Sequence, residues 1–283
     1  MPRVSIEHVI DMDYEGVTKV LTSFVRGIVS KSGLRGAVVG VSGGVDSATT
    51  LALLVNALGS NRVIALIMPD SRVTPDDDVN DAIGLVKSFG VDYRVYRIDS
   101  IVDSYTAVTG GGSKKSIGNL RARIRMTLLY FTANEENMLV AGTGDRSEIL
   151  IGYFTKYGDG AADFMPIATL YKTQVRRLAV HLGVPRKIAE KPSAPRLWEG
   201  HVAEEELGVK YEDIDVTLFS LVDLGLTPKK VVDVTGLSDG VVERVVELMN
   251  AARHKQLELP SPSLESIYAY WPGFENARKT LGG

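Results

Sequence analysis

An α/β fold, a doubly wound parallel sheet flanked by helices with a helical C-terminal portion, is what the sequence predicts, on three observations. Short apolar, β-branched runs recur at residues 36–41, 62–68, 93–98 and 138–141. Helical patterns fill the intervals between them, and strands alternating with helices are the signature of a parallel sheet covered on both faces. After about Lys172 the β-branched runs cease and helical patterns take over.

Each element has its own signal. Residues 14–31 place Val17, Val20, Leu21, Phe24, Val25, Ile28 and Val29 at helical spacing, and Gly33 follows as a natural stop. The run 36–41 is the first strand, and the pattern "ATTLALLVNALG" after it is a helix feeding the second strand at 62–68. Thr74 is a candidate cap and Pro75 suits a first helical position. Asp76, Asp77 and Asp78 then fall in the turn where the helix dipole favours anions, which is a better reading of three acids in a row than a metal site. Beyond the fourth strand, "KTQVRRLAVHLG", "YEDIDVTLFSLVDLG", "TPKKVVDVTG" and "SDGVVERVVELMNAARHK" read as helices. The polar stretch 191–208 exceeds ordinary connection length, which marks a functional or mobile loop.

Composition narrows the function. A chain of 283 residues with 45% hydrophobic residues can bury a full core. Lys and Arg number 32 against 35 Asp and Glu, so no basic excess points to nucleic acid. The chain has no cysteine, which removes disulfides, thiolate metal sites and a cysteine nucleophile together and fits a reducing, cytoplasmic setting. The opening "MPRVSIEHVIDMDYEG" lacks a signal-peptide core, and no apolar run approaches the ~18 residues of a membrane span. Four scattered histidines show no metal-ligand spacing.

The chemistry begins where the first strand ends, at "GVSGGVDS", Gly40 to Ser47. Two glycines let a backbone approach a ligand closely, and the helix that follows offers free amides and the positive end of its dipole to an anion. Ser42 and Ser47 add hydroxyls. Asp46 would repel a phosphate unless a divalent cation stands between them, so it suits magnesium. A turn that merely needs glycine and a serine is the plain alternative. Neither G-x-G-x-x-G nor G-x-x-x-x-G-K-[ST] fits, and "TGGGSKKS" at 109–116 lacks the glycine before its lysine, which leaves it a surface loop.

"SGGVDS" resembles the pyrophosphate-binding loop of the ATP pyrophosphatase family, whose members split ATP into AMP and pyrophosphate to adenylate an acceptor oxygen. Further motifs are similar to ammonia-dependent NAD synthetases: "GNLRARIRMTLLY", "GTGDRSEILIGYFTKYGDGAADFMPI", "LYKTQVRRLA", "KPSAPRLWEG" and "EEELGVKYEDID". The likeness runs in order over residues 14–265. It implies one domain over 1–283, with a Rossmann-like nucleotide-binding core at 1–171 and a mostly helical part at 172–283 that contains the mobile loop. It also implies amidation of deamido-NAD by ATP and ammonia in a homodimer, with Mg2+ as the metal.

Residue by residue, the resemblance assigns ATP to Gly40, Val41, Ser42, Gly43, Gly44, Val45, Asp46, Ser47, Thr143, Lys172 and Ser193. Deamido-NAD falls to Arg123, Lys156, Asp159, Asp163, His254 and Lys255, and the metal to Asp46 and Glu148. Asp46, Glu148 and Lys172 form the catalytic set. Spacing alone would leave Lys172 as a solvated lysine at a helix start, and His254-Lys255 as a basic pair complementing a helix C-terminus. Two departures stand out. Relatives carry "LWxGQTDExELG" where this chain has "LWEGHVAEEELG", and His201, a lone histidine in a polar loop, is expected to be solvated and outside the site. "TGDRSE" replaces a run with Asp directly after the threonine, while keeping the spacing from Thr143 to Glu148. Glutamine-dependent relatives add an amidase domain with a cysteine nucleophile, so free ammonia or a separate amidase chain is the expected nitrogen source. A GMP-synthetase-like amidase and a catalytically silent nucleotide-binding protein are the alternatives.

Overall fold

A computed structural model describes residues 4–256 and, beyond them, 261–263, 268, 270–271, 273–274 and 277–278. Parts of the expected helical portion 172–283 and of the likeness over 14–265 therefore lie outside the described residues. Two helices open the chain, α1 (Ile6–Ile10) and α2 (Tyr14–Ser32). Asp13 caps α2 by accepting from the Gly16 amide at 3.0 Å. Gly33 ends it in the left-handed region with φ 70°, as its position in the sequence predicts.

Alternation then builds the sheet: β1 (Ala37–Gly40), α3 (Val45–Leu58), β2 (Val63–Ile67), α4 (Asp76–Ser88), β3 (Asp92–Val95), α5 (Asp99–Thr109), α6 (Lys114–Glu136), β4 (Leu139–Ala141) and α7 (Arg146–Ile151). All strand pairs are parallel, in the order β3-β2-β1-β4. The helical part follows as α8 (Lys172–His181), α9 (Arg186–Ala189), α10 (Ala203–Leu207), α11 (Tyr211–Leu218), α12 (Pro228–Thr235) and α13 (Asp239–Gln256). A π-helical turn, Phe219–Asp223, extends α11.

The period of two sorts the strand side chains to opposite faces. Ala37 and Val39 of β1, with Val63, Ala65 and Ile67 of β2, pack against α2, α3, α4 and α8. Val38, Ile64 and Leu66 pack against α5 and α6 on the other face. A third cluster joins α1 to α7, α11 and α13 through Val9, Ile151, Ile214 and Val245. Among the described residues, no helix is long and apolar enough to cross a membrane.

Four local expectations shift. Thr74 does not cap α4; its hydroxyl accepts from the Asp70 amide at 3.2 Å within the preceding turn, and Pro75 takes the cap position. The strand expected over 93–98 is the shorter β3, one residue earlier, although the Tyr96 amide still donates to the Ile67 carbonyl. The loop expected at 109–116 ends early because Ser113 caps α6 by accepting from the Ser116 amide. The polar stretch 191–208 holds α10 and fully covers Ala203 and Leu207.

Candidate active site

Strand order decides where the chemistry gathers. The chain leaves β1 toward β2 and β3, then crosses back to lay β4 on the other side of β1, so the carboxyl ends of β1 and β4 flank the switch point where such sheets bind ligands. The turn Gly40–Ser47 follows β1, and the turn carrying Thr143 and Asp145, with Glu148 in the first turn of α7, follows β4.

The glycine turn is built for close approach. Gly43 has φ +81°, and a Cβ there would lie 2.4 Å from the Asp78 carbonyl oxygen, so both its conformation and its neighbour exclude a side chain. Ser47 donates to the Gly44 carbonyl at 3.0 Å and its Oγ lies 3.1 Å from Ser42 Oγ, while the Ser42 amide donates to Ser47 Oγ. Gly44 is the cap of α3 with no side chain to cover the first-turn amides, which leaves them for an anion.

Opposite stands an acid–lysine centre. Lys172, the first residue of α8, is fully buried. Its Nζ donates to Asp46 Oδ2 at 2.6 Å and Glu148 Oε1 at 2.9 Å, and it forms an ion pair with Asp145 Oδ2 at 2.8 Å. The lysine is thus not the solvated group that its place at a helix start suggested, because α8 enters the site with its N-terminus under the carboxylates of two other segments, the start of α3 and the start of α7. One ligand atom from each of Asp46, Asp145 and Glu148 lies within 4.8 Å of the others. Three carboxylates and one ammonium carry a formal −2, the charge that one divalent cation neutralises. Asp46 Oδ1 is buried without a hydrogen-bond partner, an orphaned acceptor of the kind a metal satisfies.

Burial by itself would lower the Lys172 ammonium, but Asp145, Asp46 and Glu148 together outweigh it and hold its pKa well above the usual lysine value. Burial raises the carboxyls of Glu148 and Asp145, with Lys172 opposing and the neighbouring acids adding to the rise. A second layer fixes the centre from below. Asp215 of α11 accepts from Ser147 Oγ at 2.5 Å and from the Thr173 amide and hydroxyl at 2.8 and 2.7 Å, while Ser147 Oγ accepts from the Lys172 amide at 2.9 Å. Burial pushes the Asp215 carboxyl up to about 7 against the lowering by these donors.

The second group of expected residues lies along the segment after α7. Arg123 Nη2 donates to the Lys156 carbonyl at 3.3 Å, Lys156 Nζ to the His254 carbonyl at 3.2 Å, and Lys255 Nζ to the carbonyls of Gly152 and Phe154 at 2.6 Å each. Lys255 therefore serves the end of α7 rather than its own helix terminus, and burial lowers its pKa. Asp159 accepts from the Thr155 amide at 2.9 Å. Asp163 is committed to the sheet, accepting from the Val140 amide at 2.7 Å and the Tyr130 hydroxyl at 3.3 Å. Tyr157, between them, holds a positive φ of 60°, a strain that persists only where the surroundings enforce it.

The loop 191–208 is tied to α4 and α6. Lys191 Nζ donates to Asp78 and Asp81 at 3.0 and 2.5 Å, Arg196 Nε donates to Asp78 at 2.8 Å, and Arg121 Nη1 donates to the Leu197 carbonyl at 2.8 Å. Of the three consecutive acids on α4, two remain at the exposed helix start, while the third, Asp78, anchors this loop and also packs its carbonyl against Gly43. Ser193 Oγ is buried without a hydrogen-bond partner. His201 is 2% exposed, against the expectation of a solvated ring, because Trp198 stacks on it at 3.6 Å.

The family model described as NAD synthase matches residues 17–260. The chain belongs to the NAD synthase family. A relative from Hyperthermus butylicus named NH(3)-dependent NAD(+) synthetase is 58% identical, over 92% of this chain and 95% of its own. The NH3-dependent NAD synthetase of Campylobacter jejuni, solved with a nitrate ion, superposes with TM-score 0.76 at 30% identity, covering 89% of this chain and all of that one. NMN synthetase from Francisella tularensis superposes with TM-score 0.80 at 30% identity, covering 90% and 100%. Members of the NAD synthase family are ligases, and this chain is an enzyme of that class.

Against the NAD synthase family, three residues of the site went unread in the sequence. Asp145 was visible as the first residue of Asp-x-x-Glu, a capping box whose hydrogen bonds to Glu148 the structure contains. Asp215 had no signal beyond lying in "YEDID". His201 had none, since a ring in a polar loop gives no hint of what will cover it.

Proposed function

We propose that this chain amidates the nicotinate carboxylate of deamido-NAD with ammonia, consuming ATP and releasing AMP, pyrophosphate and NAD. The observation that carries the reading is the meeting of the glycine turn after β1 with the acid–lysine centre after β4, in a chain of the NAD synthase family. A carboxylate oxygen of deamido-NAD attacks the α-phosphorus of ATP, and the bond to the bridging oxygen breaks to release pyrophosphate. Ammonia then attacks the acyl carbon of the adenylate, AMP departs with the bonding pair, and a proton passes to solvent.

The first-turn amides of α3 receive the leaving phosphates, and Gly43 and Gly44 let them come close. Lys172 places an obligate positive charge beside the reacting phosphate, where charge develops in the transition state. Asp46 and Glu148 fit a magnesium ion by the orphaned Asp46 oxygen and the net charge of the cluster. Such an ion supplies charge neutralisation on the departing pyrophosphate. Thr143 and Ser193 offer hydroxyls to ATP, and closure of the 191–208 loop excludes water from a hydrolysable adenylate. Arg123, Lys156, Asp159, Asp163, His254 and Lys255 form the deamido-NAD side, where cations meet its pyrophosphate and carboxylate.

The unit is a homodimer in this reading. Val20 and Phe24, one turn apart on α2, are 68% and 42% exposed, large apolar side chains that a second copy would cover. Light scattering that returned a monomer at working concentration would remove the dimer. A cytoplasmic location completes it, since ATP and a reduced environment meet there.

Purified protein with ATP, magnesium and deamido-NAD is expected to form AMP and NAD when ammonium is added and none when glutamine replaces it. Because one structural relative is an NMN synthetase, nicotinate mononucleotide is run beside deamido-NAD; a higher kcat/KM for the mononucleotide would overturn the substrate, and no pyrophosphate release with either would overturn the reaction.

A further inference from the structure

The buried histidine in the 191–208 loop has partners that the reaction itself does not explain. His201 Nε2 lies 3.0 Å from the Tyr153 hydroxyl and 2.8 Å from Glu206 Oε2, and the Tyr153 hydroxyl donates to the same Oε2 at 2.7 Å. Counting protons fixes the roles. The phenol has one proton and gives it to the carboxylate, so Nε2 must carry a proton of its own; a bare nitrogen would set a lone pair against a carboxylate oxygen. Nδ1 is buried with no hydrogen-bond partner. Burial accordingly lowers the imidazole pKa, although Glu206 opposes it.

The contact joins two parts of the site. Tyr153 follows Gly152, which ends the helix that carries Glu148, and it opens the segment that carries Lys156 and Asp159. On the other side, the Ala203 amide donates to the Ser193 carbonyl at 2.9 Å, so the turn holding His201 also holds Ser193. Trp198 lies between the imidazole and Lys114, whose Nζ is 4.8 Å from the indole centroid. Gly118 of α6 leaves room for this stack, since a Cβ there would meet Leu197 Cβ at 3.0 Å. Arg196, in the same turn, is held at φ 54° by its ion pair with Asp78.

We propose that His201 is a positioning residue that, through Tyr153 and Glu206, latches the Ser193 loop to the Lys156 segment, so that seating deamido-NAD and closing over ATP reinforce each other. The inference rests on the proposed amidation for the identity of the two ligands. His201 acts through Tyr153, Glu206 and the loop rather than on the reacting atoms. A latch of this kind lowers the ordering cost that each substrate would otherwise meet alone.

The test compares His201→Ala, His201→Gln and Tyr153→Phe in the full chain, reading KM for ATP and deamido-NAD, kcat at saturation, and amide hydrogen exchange of residues 193–206 without ligands. His201→Ala is expected to raise both KM values by about tenfold, the loss of a buried hydrogen bond, with a smaller change in kcat and with lost protection over 193–206. Tyr153→Phe moves the same way by less. His201→Gln, whose amide N–H can reach Glu206, restores most of both readouts. Unchanged KM values in His201→Ala would overturn the latch, whether or not protection is lost, and so would His201→Gln variants as impaired as His201→Ala. Failure of the amidation reads differently: the unmutated chain would form no NAD, while the exchange comparison would still report whether His201 holds the loop.

Discussion

The two sides of the site hold their charges in opposite ways. Around Lys172 every charge already faces its opposite, with three carboxylate oxygens within 2.9 Å of one ammonium. Along the Arg123–Lys255 side the cations rest on main-chain carbonyls instead. The first arrangement is assembled before any ligand arrives, and buried charge is what fixes it. The second keeps its cations on neutral acceptors, so an incoming anion replaces bonds to uncharged carbonyls with bonds between opposite charges.

The largest test of that contrast is Lys172→Met. Removing the ammonium leaves three clustered acids unpaired, Asp145 among them fully buried, and a stability loss of about 3–5 kcal/mol is expected together with loss of adenylation, read by denaturant unfolding and pyrophosphate release. Magnesium should restore part of the stability by supplying the missing charge; if unfolding of this variant ignores magnesium, the cluster does not hold the metal. Next come Asp46→Ala and Glu148→Ala. Each is expected to reduce pyrophosphate release by roughly a thousandfold or more while circular dichroism stays that of the unmutated chain, and near-normal release from either would refute a two-acid metal site.

Asp215→Asn probes the layer beneath and has a pH signature. The Asp215 carboxyl is raised from 3.8 to about 7, so the folded state binds a proton that the unfolded state has lost. Its contribution is fully present below 3.8 and is lost as pH rises to about 7. Stability of the unmutated chain should thus fall relative to Asp215→Asn across that window, and parallel stability–pH curves for the two would rule it out. The smallest effect belongs to the open side. Lys156→Ala should weaken deamido-NAD by about tenfold and ATP much less, as loss of one charge-assisted contact does. Equal weakening of both ligands by calorimetry would give that lysine a structural role and erase the contrast.

Legibility followed the range of the interaction. Gly33 as a stop and the glycine turn before α3 were readable because a left-handed residue or a close backbone approach is written in one or two positions. Thr74 misled because two nearby backbone groups compete for one hydroxyl, and the Asp70 amide wins. Asp78 looked like helix chemistry and is also that, yet its carboxylate reaches Lys191, 113 residues on. His201 was invisible because only a neighbouring indole and a distant tyrosine make its burial favourable.

By itself, then, the sequence determined the alternation of strand and helix, the turn that admits a phosphate, and the family to which those motifs belong. These depend on side-chain period and on backbone sterics within a few residues. Only the tertiary structure decided that Lys172 lies among Asp46, Asp145 and Glu148, that Asp215 supports them, and that a histidine closes the loop. Lys172 and Asp46 are 126 positions apart, and they meet because β4 pairs beside β1 and brings the two strand ends together. Charge contact over such separations follows from which strands are neighbours, a choice made by burying both faces of the sheet at once.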